Sequence, residues 1–219
     1  MRDTETVKVW DIWVRIFHWS LVVLFVVAYF TAEEENVWHI YSGYAVLGLV
    51  IFRVLWGIVG SKYARFSDFI YSPIQVIQYL QGMVAGTPEY YLGHNPLGGW
   101  MTVALVAGLL VVSVTGLKLY AIEEGRGPLA GADQLMVIDN VYADRNEDED
   151  EGEEEEHQGR KHDNGEEDED EMWEELHEVS TNITLFLIGL HILGVFISSL
   201  LHHENLVKAM ITGNKERKV

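Results

Sequence analysis

The chain contains no cysteine. Disulfides, thiolate-held iron–sulfur clusters and haem attached through Cys-x-x-Cys-His are therefore excluded. Any metal or cofactor must be held by His, carboxylate or Met. Carboxylates are missing from four long apolar runs, Ile12–Phe30, Ile40–Val59, Leu97–Tyr120 and Val179–Leu201. Basic residues are few, 15 Lys and Arg against 34 Asp and Glu for a formal net charge of −19, a balance that repels nucleic acid. The first run lacks a small-x-small cleavage site and carries Arg15 and His18. It therefore reads as a retained helix rather than a signal peptide.

What the chain does have is apolar length. A bilayer core about 30 Å thick needs roughly 20 apolar residues per helix, and each of the four runs meets that. The expected fold class is all-α, an integral membrane four-helix bundle with a long acidic extracytoplasmic loop. The whole of 1–219 forms one domain, with helices over about 10–31, 38–60, 96–121 and 173–203 and the loop at 122–172. Trp10, Trp13, Trp19, Trp38, Trp100 and Trp173 fall near the ends of these helices, where indole rings favour the membrane interface. Asn146 to Glu175 holds more than half of the acidic residues and almost no apolar ones. Such a composition cannot offset the entropy of ordering, so the loop is expected to be disordered unless something binds it.

Lys and Arg near the helix ends set the orientation. Arg2, Lys8 and Arg15, then Lys62 and Arg65, then Lys208, Lys215, Arg217 and Lys218 share one side; Glu33-Glu34-Glu35 and the acidic block share the other. Both termini are thus expected in the cytoplasm of a bacterium, with the chain in its inner membrane. Ser67-Asp68 and Pro73 are helix-start signals, and Ile74, Ile77, Leu80 and Val84 follow at helical spacing. Pro73–Val84 is expected as a short helix, lying on the membrane surface or within an ordinary loop. In the third helix Gly98, Gly99, Gly108, Ser113, Thr115 and Gly116 allow either close helix packing or room for a flat cofactor.

Histidines inside spans usually face the interior and serve a function. Four of the nine are placed to do so: His18 in the first helix, His39 opening the second, His177 opening the fourth and His191 deeper within it. Fourteen residues separate His177 from His191. On a helix they fall within about 40° of one another and roughly 21 Å apart along the axis. His191 matches His18 in depth, and His177 matches His39. Two layers follow, His18 with His191 near the cytoplasm and His39 with His177 near the outside, each able to ligate one haem iron through two imidazoles.

Haem propionates need cationic partners when buried. Arg15 lies one turn from His18, and Arg53 descends from His39 to the inner layer. Arg53 pairs there with a propionate or else snorkels to lipid phosphate. Lys118 serves the outer haem or snorkels. His202 and His203 read as interfacial, and His157 and His162 as solvated. His94 either lines a quinone pocket or caps the turn before the third helix.

Val-Arg-Ile-Phe-His-Trp (14–19), His-Ile-Tyr-Ser-Gly-Tyr (39–44), Phe-Arg-Val-Leu-Trp-Gly (52–57) and Gly-His-Asn-Pro-Leu-Gly-Gly (93–99) resemble the bacterial cytochrome b-561 family. That family includes the cytochrome b subunits of nickel–iron hydrogenases. Gly-Pro-Leu-Ala-Gly (127–131), Leu-His-Glu (176–178), Leu-His-Ile-Leu-Gly-Val (190–195) and the tail from His202 to Lys215 are similar to it as well. The resemblance covers nearly all of the chain outside the acidic loop. It implies two b haems at His18, His39, His177 and His191, and electron exchange between a quinone pool and an extracytoplasmic redox partner. The acidic insert departs from the family pattern, so it does not identify that partner.

The expected function is that of a di-haem electron conduit, the electron-transfer subunit of an oxidoreductase complex. It would link membrane quinone to a c-type cytochrome or a hydrogenase-like enzyme. The acidic loop would attract a basic partner or act only as a solvated shield. Quinone-linked superoxide oxidase activity is an alternative, disfavoured by an outer face that repels an anion. A divalent metal-ion transporter is another, disfavoured by spans without carboxylates and by Arg53.

Overall fold

In the computed structural model the residues described are 5–32, 37–130 and 161–217, with side chains at 6–32, 37–130 and 169–215. Among them lie six α-helices and a two-stranded sheet: β1 (Glu5–Lys8), α1 (Ile12–Phe30), α2 (Val37–Val59), α3 (Pro73–Val84), α4 (Pro96–Glu124), α5 (Lys161–His202), α6 (Leu206–Thr212) and β2 (Asn214–Arg217). The all-α class expected from the sequence is what the chain adopts. Four helices, α1, α2, α4 and α5 from Glu169, are long and apolar enough to cross a membrane. The Glu33-Glu34-Glu35 turn and residues 131–160, with the larger part of the acidic loop, lie outside the described residues.

Four of the helix starts have an identifiable cause. Asp11 caps α1, its carboxylate accepting the Val14 N–H at 2.9 Å. The expected short helix α3 opens on a capping box between Ser72 and Gln75 with Pro73 in its first turn. Asn95 caps α4 by accepting the Gly98 N–H at 2.7 Å, and Asn205 caps α6 by accepting that of Lys208 at 2.8 Å. The fourth expected span was to begin near residue 173, but α5 begins at Lys161 and α4 runs on to Glu124. Glutamate is a good helix former. The acidic segment can therefore extend an apolar helix that already exists.

The chain divides into two compact units, residues 1–110 with 183–219, and residues 111–182. In the first, α1 packs against α2. Val46, Val50 and Leu109 form its buried core, with Leu21, Leu24, Phe25 and Val106 against them. Burial along the spans is inverted relative to a water-soluble protein. Phe30, Leu55, Phe186 and Phe196 are exposed, whereas Ser42, Arg53, Ser113, Thr115, Thr184 and Ser198 are buried. Lipid solvates apolar side chains as well as a core does, so polar groups are what the interior collects.

A second cluster of the same unit was not legible in the sequence. β1 and β2 pair antiparallel, Glu5 with Arg217 and Lys8 with Asn214, and so tie the two ends of the chain together. Gly213 makes the junction, its carbonyl accepting from Val9 N at 2.9 Å and Trp10 N at 3.0 Å. Its φ of +86° closes α6 in the left-handed region, and a Cβ there would stand 2.7 Å from the Trp10 carbonyl oxygen. Val9, Trp10, Val14, Ala64 and Ala209 bury together beneath this junction.

Candidate functional site

α1 and α5 bring His18 and His191 together. Their ring centroids lie 6.5 Å apart with the planes inclined by 54°. Trp19 meets the His18 ring edge-on at 5.1 Å. The Nδ1 atom of His18 is buried with no hydrogen-bond partner in the polypeptide. A buried ring nitrogen in that condition costs free energy unless something outside the chain satisfies it.

His39 is held by a different device. Its Nδ1 lies 2.8 Å from the carbonyl oxygen of Ala28, in the last turn of α1, where helix carbonyls lack intrahelical donors. A carbonyl only accepts, so Nδ1 carries the proton and the lone pair of the ring sits on Nε2. That is the tautomer a metal-binding imidazole adopts when its other nitrogen is held by the protein.

His177 belongs to the second unit. Its Nδ1 lies 3.1 Å from Thr115 Oγ1, and Gly116 forms the floor beneath the ring. A Cβ at Gly116 would stand 2.9 Å from His177 Cε1 and 3.3 Å from Nδ1. In the same unit Lys118 pairs with Glu169 at 3.4 Å and lies 5.8 Å from the Trp173 ring centroid.

The two candidate arginines differ in surroundings. Arg53 is only 2% exposed, deep in α2. Its guanidinium stacks 5.0 Å from the Phe66 ring and 5.7 Å from that of Phe69, and Nη1 has no hydrogen-bond partner. Arg15 reaches the end of the chain, where Nη2 donates to the carbonyl of Ile211. Its Nε is buried without a partner.

His94 does not cap the turn into α4, since Asn95 does. The His94 ring instead packs between Trp10 at 4.7 Å and Phe69 at 4.4 Å, its Nδ1 buried without a partner. Burial, with Arg53, Lys215 and His191 adding charge repulsion, pushes its pKa down to about 3. The ring is therefore neutral. It borders a cavity of about 200 Å³ shared with Tyr63, Phe69, Tyr71 and Tyr91. The Tyr71 hydroxyl donates to the His94 carbonyl at 3.2 Å.

His202 is engaged rather than merely interfacial. Its Nε2 lies 3.4 Å from the Tyr79 hydroxyl and its ring lies 5.8 Å from that of Tyr90. Close by in sequence, Glu204 and Lys215 form a buried ion pair at 3.4 Å, and Lys215 also donates to the Tyr91 carbonyl at 3.3 Å. The four span histidines lie where the sequence places them, in α1, α2 and α5. Sequence reading missed this second group because nothing local indicates that residue 215 folds back over residues 90 and 91. Among the described residues no group of three or more His, Asp or Glu side chains could hold a metal ion directly.

The family model for prokaryotic cytochrome b561 matches residues 9–213. A probable Ni/Fe-hydrogenase B-type cytochrome subunit of Azotobacter vinelandii is 32% identical over 167 residues, covering 62% of this chain and 67% of that protein. Its counterpart from Azotobacter chroococcum mcd 1 is 31% identical over the same length and shares. No solved structure matches the chain. Taken with four helices long and apolar enough to cross a membrane, the match establishes that the chain belongs to the prokaryotic cytochrome b561 family and is a membrane-bound b-type cytochrome of electron transfer.

Proposed function

We propose that this cytochrome holds two b haems, one between His18 and His191 and one between His39 and His177, and links membrane quinone to an extracytoplasmic redox protein. The approach of His18 and His191 carries the reading. Two imidazoles that share one metal ion at about 2 Å each have ring centroids about 6 Å apart, and these stand at 6.5 Å. The buried, unpartnered Arg53 Nη1 fits the same group as counter-charge to a propionate. Arg15 Nε, also unpartnered, is the further propionate donor. His39, with its lone pair on Nε2, fits the outer layer. When bound, haem b supplies a one-electron iron couple whose potential follows its axial ligands and their hydrogen bonds.

The chain's own residues do the rest. The span interior keeps water from the imidazoles, and the exposed apolar faces hold the helices in lipid. The His94 cavity lies in the same unit as His18 and His191 and is lined by aromatic rings together with Asp68, Leu92 and Gly93, which suits a quinone head group. Both termini lie on the cytoplasmic side of a bacterial inner membrane. The β1–β2 pairing supports one shared side for the two ends, as an even number of crossings requires. The acidic run from Asn146 to Glu175 meets the outer partner, a basic c-type cytochrome or a hydrogenase-like enzyme of the kind named for the Azotobacter relatives.

Anaerobic stopped-flow mixing of the purified protein with a soluble quinol tests the quinone link. Both haems are expected to reduce, with a b-type α-band. Reduction by dithionite but by neither ubiquinol nor menaquinol analogues would remove quinone from the account.

A further inference from the structure

The outer histidine has a support that ligand spacing alone does not disclose. Thr115 is 6% exposed, and its hydroxyl donates to the carbonyls of Val111 at 3.0 Å and Val112 at 3.1 Å within its own helix. The same oxygen lies 3.1 Å from His177 Nδ1. A hydroxyl has one proton and two lone pairs. With the proton committed to the helix carbonyls, the oxygen accepts toward the ring, so Nδ1 carries the ring proton and the lone pair sits on Nε2. Gly116, the next residue, leaves the space the imidazole occupies, since a Cβ there would stand 2.9 Å from Cε1. One turn of α4 thus sets both the tautomer and the seat of His177.

We propose that Thr115 is the positioning residue of the outer haem, holding His177 in its metal-binding tautomer and lowering the potential of that haem. The proposal rests on His177 being a haem ligand. A hydrogen bond accepted from Nδ1–H makes Nε2 a stronger donor, which stabilises the oxidised iron. His39 is oriented by a backbone carbonyl, which no substitution removes. His177 is oriented by a side chain, so its contribution can be deleted.

The test is a redox titration and low-temperature EPR of the full-length purified cytochrome carrying Thr115→Val, Thr115→Ser or His177→Ala. Thr115→Val keeps the shape and removes the hydroxyl. It should retain both haems, raise the midpoint potential of one of them and shift that haem's low-spin signal, while Thr115→Ser keeps the original values. If Thr115→Val instead loses a haem, Thr115→Ser decides: original potentials support the role, and loss of the haem again overturns it. If both potentials and both signals are unchanged in Thr115→Val while His177→Ala loses one haem, Thr115 has no such role although His177 remains a ligand. Two low-spin haems in His177→Ala would overturn the ligand reading and the proposal together.

Discussion

His18 and His191 stand with ring centroids 6.5 Å apart, drawn from α1 and α5, although 172 residues separate them in the chain. That spacing is close to the one two imidazoles take when they share one metal ion. His191→Ala should therefore remove one haem and leave the second with its spectrum and potential intact. Haem content falls by half, measured as pyridine haemochrome against protein. A variant that keeps two low-spin haems would show that this approach is only core packing.

Arg53 presents a buried cation whose Nη1 the polypeptide leaves unpartnered. A positive charge beside a haem favours the reduced iron, since reduction adds an electron. Arg53→Gln should lower the potential of the inner haem by about 60 mV, a tenfold change in its reduction equilibrium. Arg53→Lys, which keeps the charge but not the planar fork, should fall between the two. Unchanged potentials in Arg53→Gln would place this side chain away from any propionate.

His94 gives a pH dependence with a definite sign. Its folded pKa of about 3 lies below the ordinary 6.5, chiefly through burial. Between those values the unfolded chain binds a proton that the folded chain does not. The stabilisation is complete above pH 6.5 and falls with acidification, by up to about 1.4 kcal/mol per pH unit. Thermal unfolding in detergent, followed from pH 7.5 to pH 4.5, should show the loss. His94→Phe keeps the ring contacts with Trp10 and Phe69 and should flatten that part of the profile. An equally steep profile in the variant would assign the loss to other groups.

Much of the fold was legible because membrane helices announce themselves by length. The four spans, the short helix from Pro73 and the span histidines follow from apolar runs, capping signals and depth. Other features depend on contacts between distant segments, to which local pattern is blind. Lys215 looked like a surface charge favouring the cytoplasmic side, yet it is buried against Glu204. His94 was a candidate to cap the turn before α4, yet Asn95 makes the cap. A short amide side chain reaches the Gly98 N–H, and the imidazole is then left to the aromatic rings around it. The start of α5 at Lys161 was obscured because acidic composition reads as loop when neighbouring helical structure is ignored.

Two haems in one chain are the central expectation. Pyridine-haemochrome stoichiometry on the purified cytochrome, joined to a potentiometric titration of its α-band, tests that directly. Two b haems per polypeptide, titrating as two one-electron steps, are the expected result. A single haem with one step, or a colourless protein, would contradict the pairing of His18 with His191 and of His39 with His177.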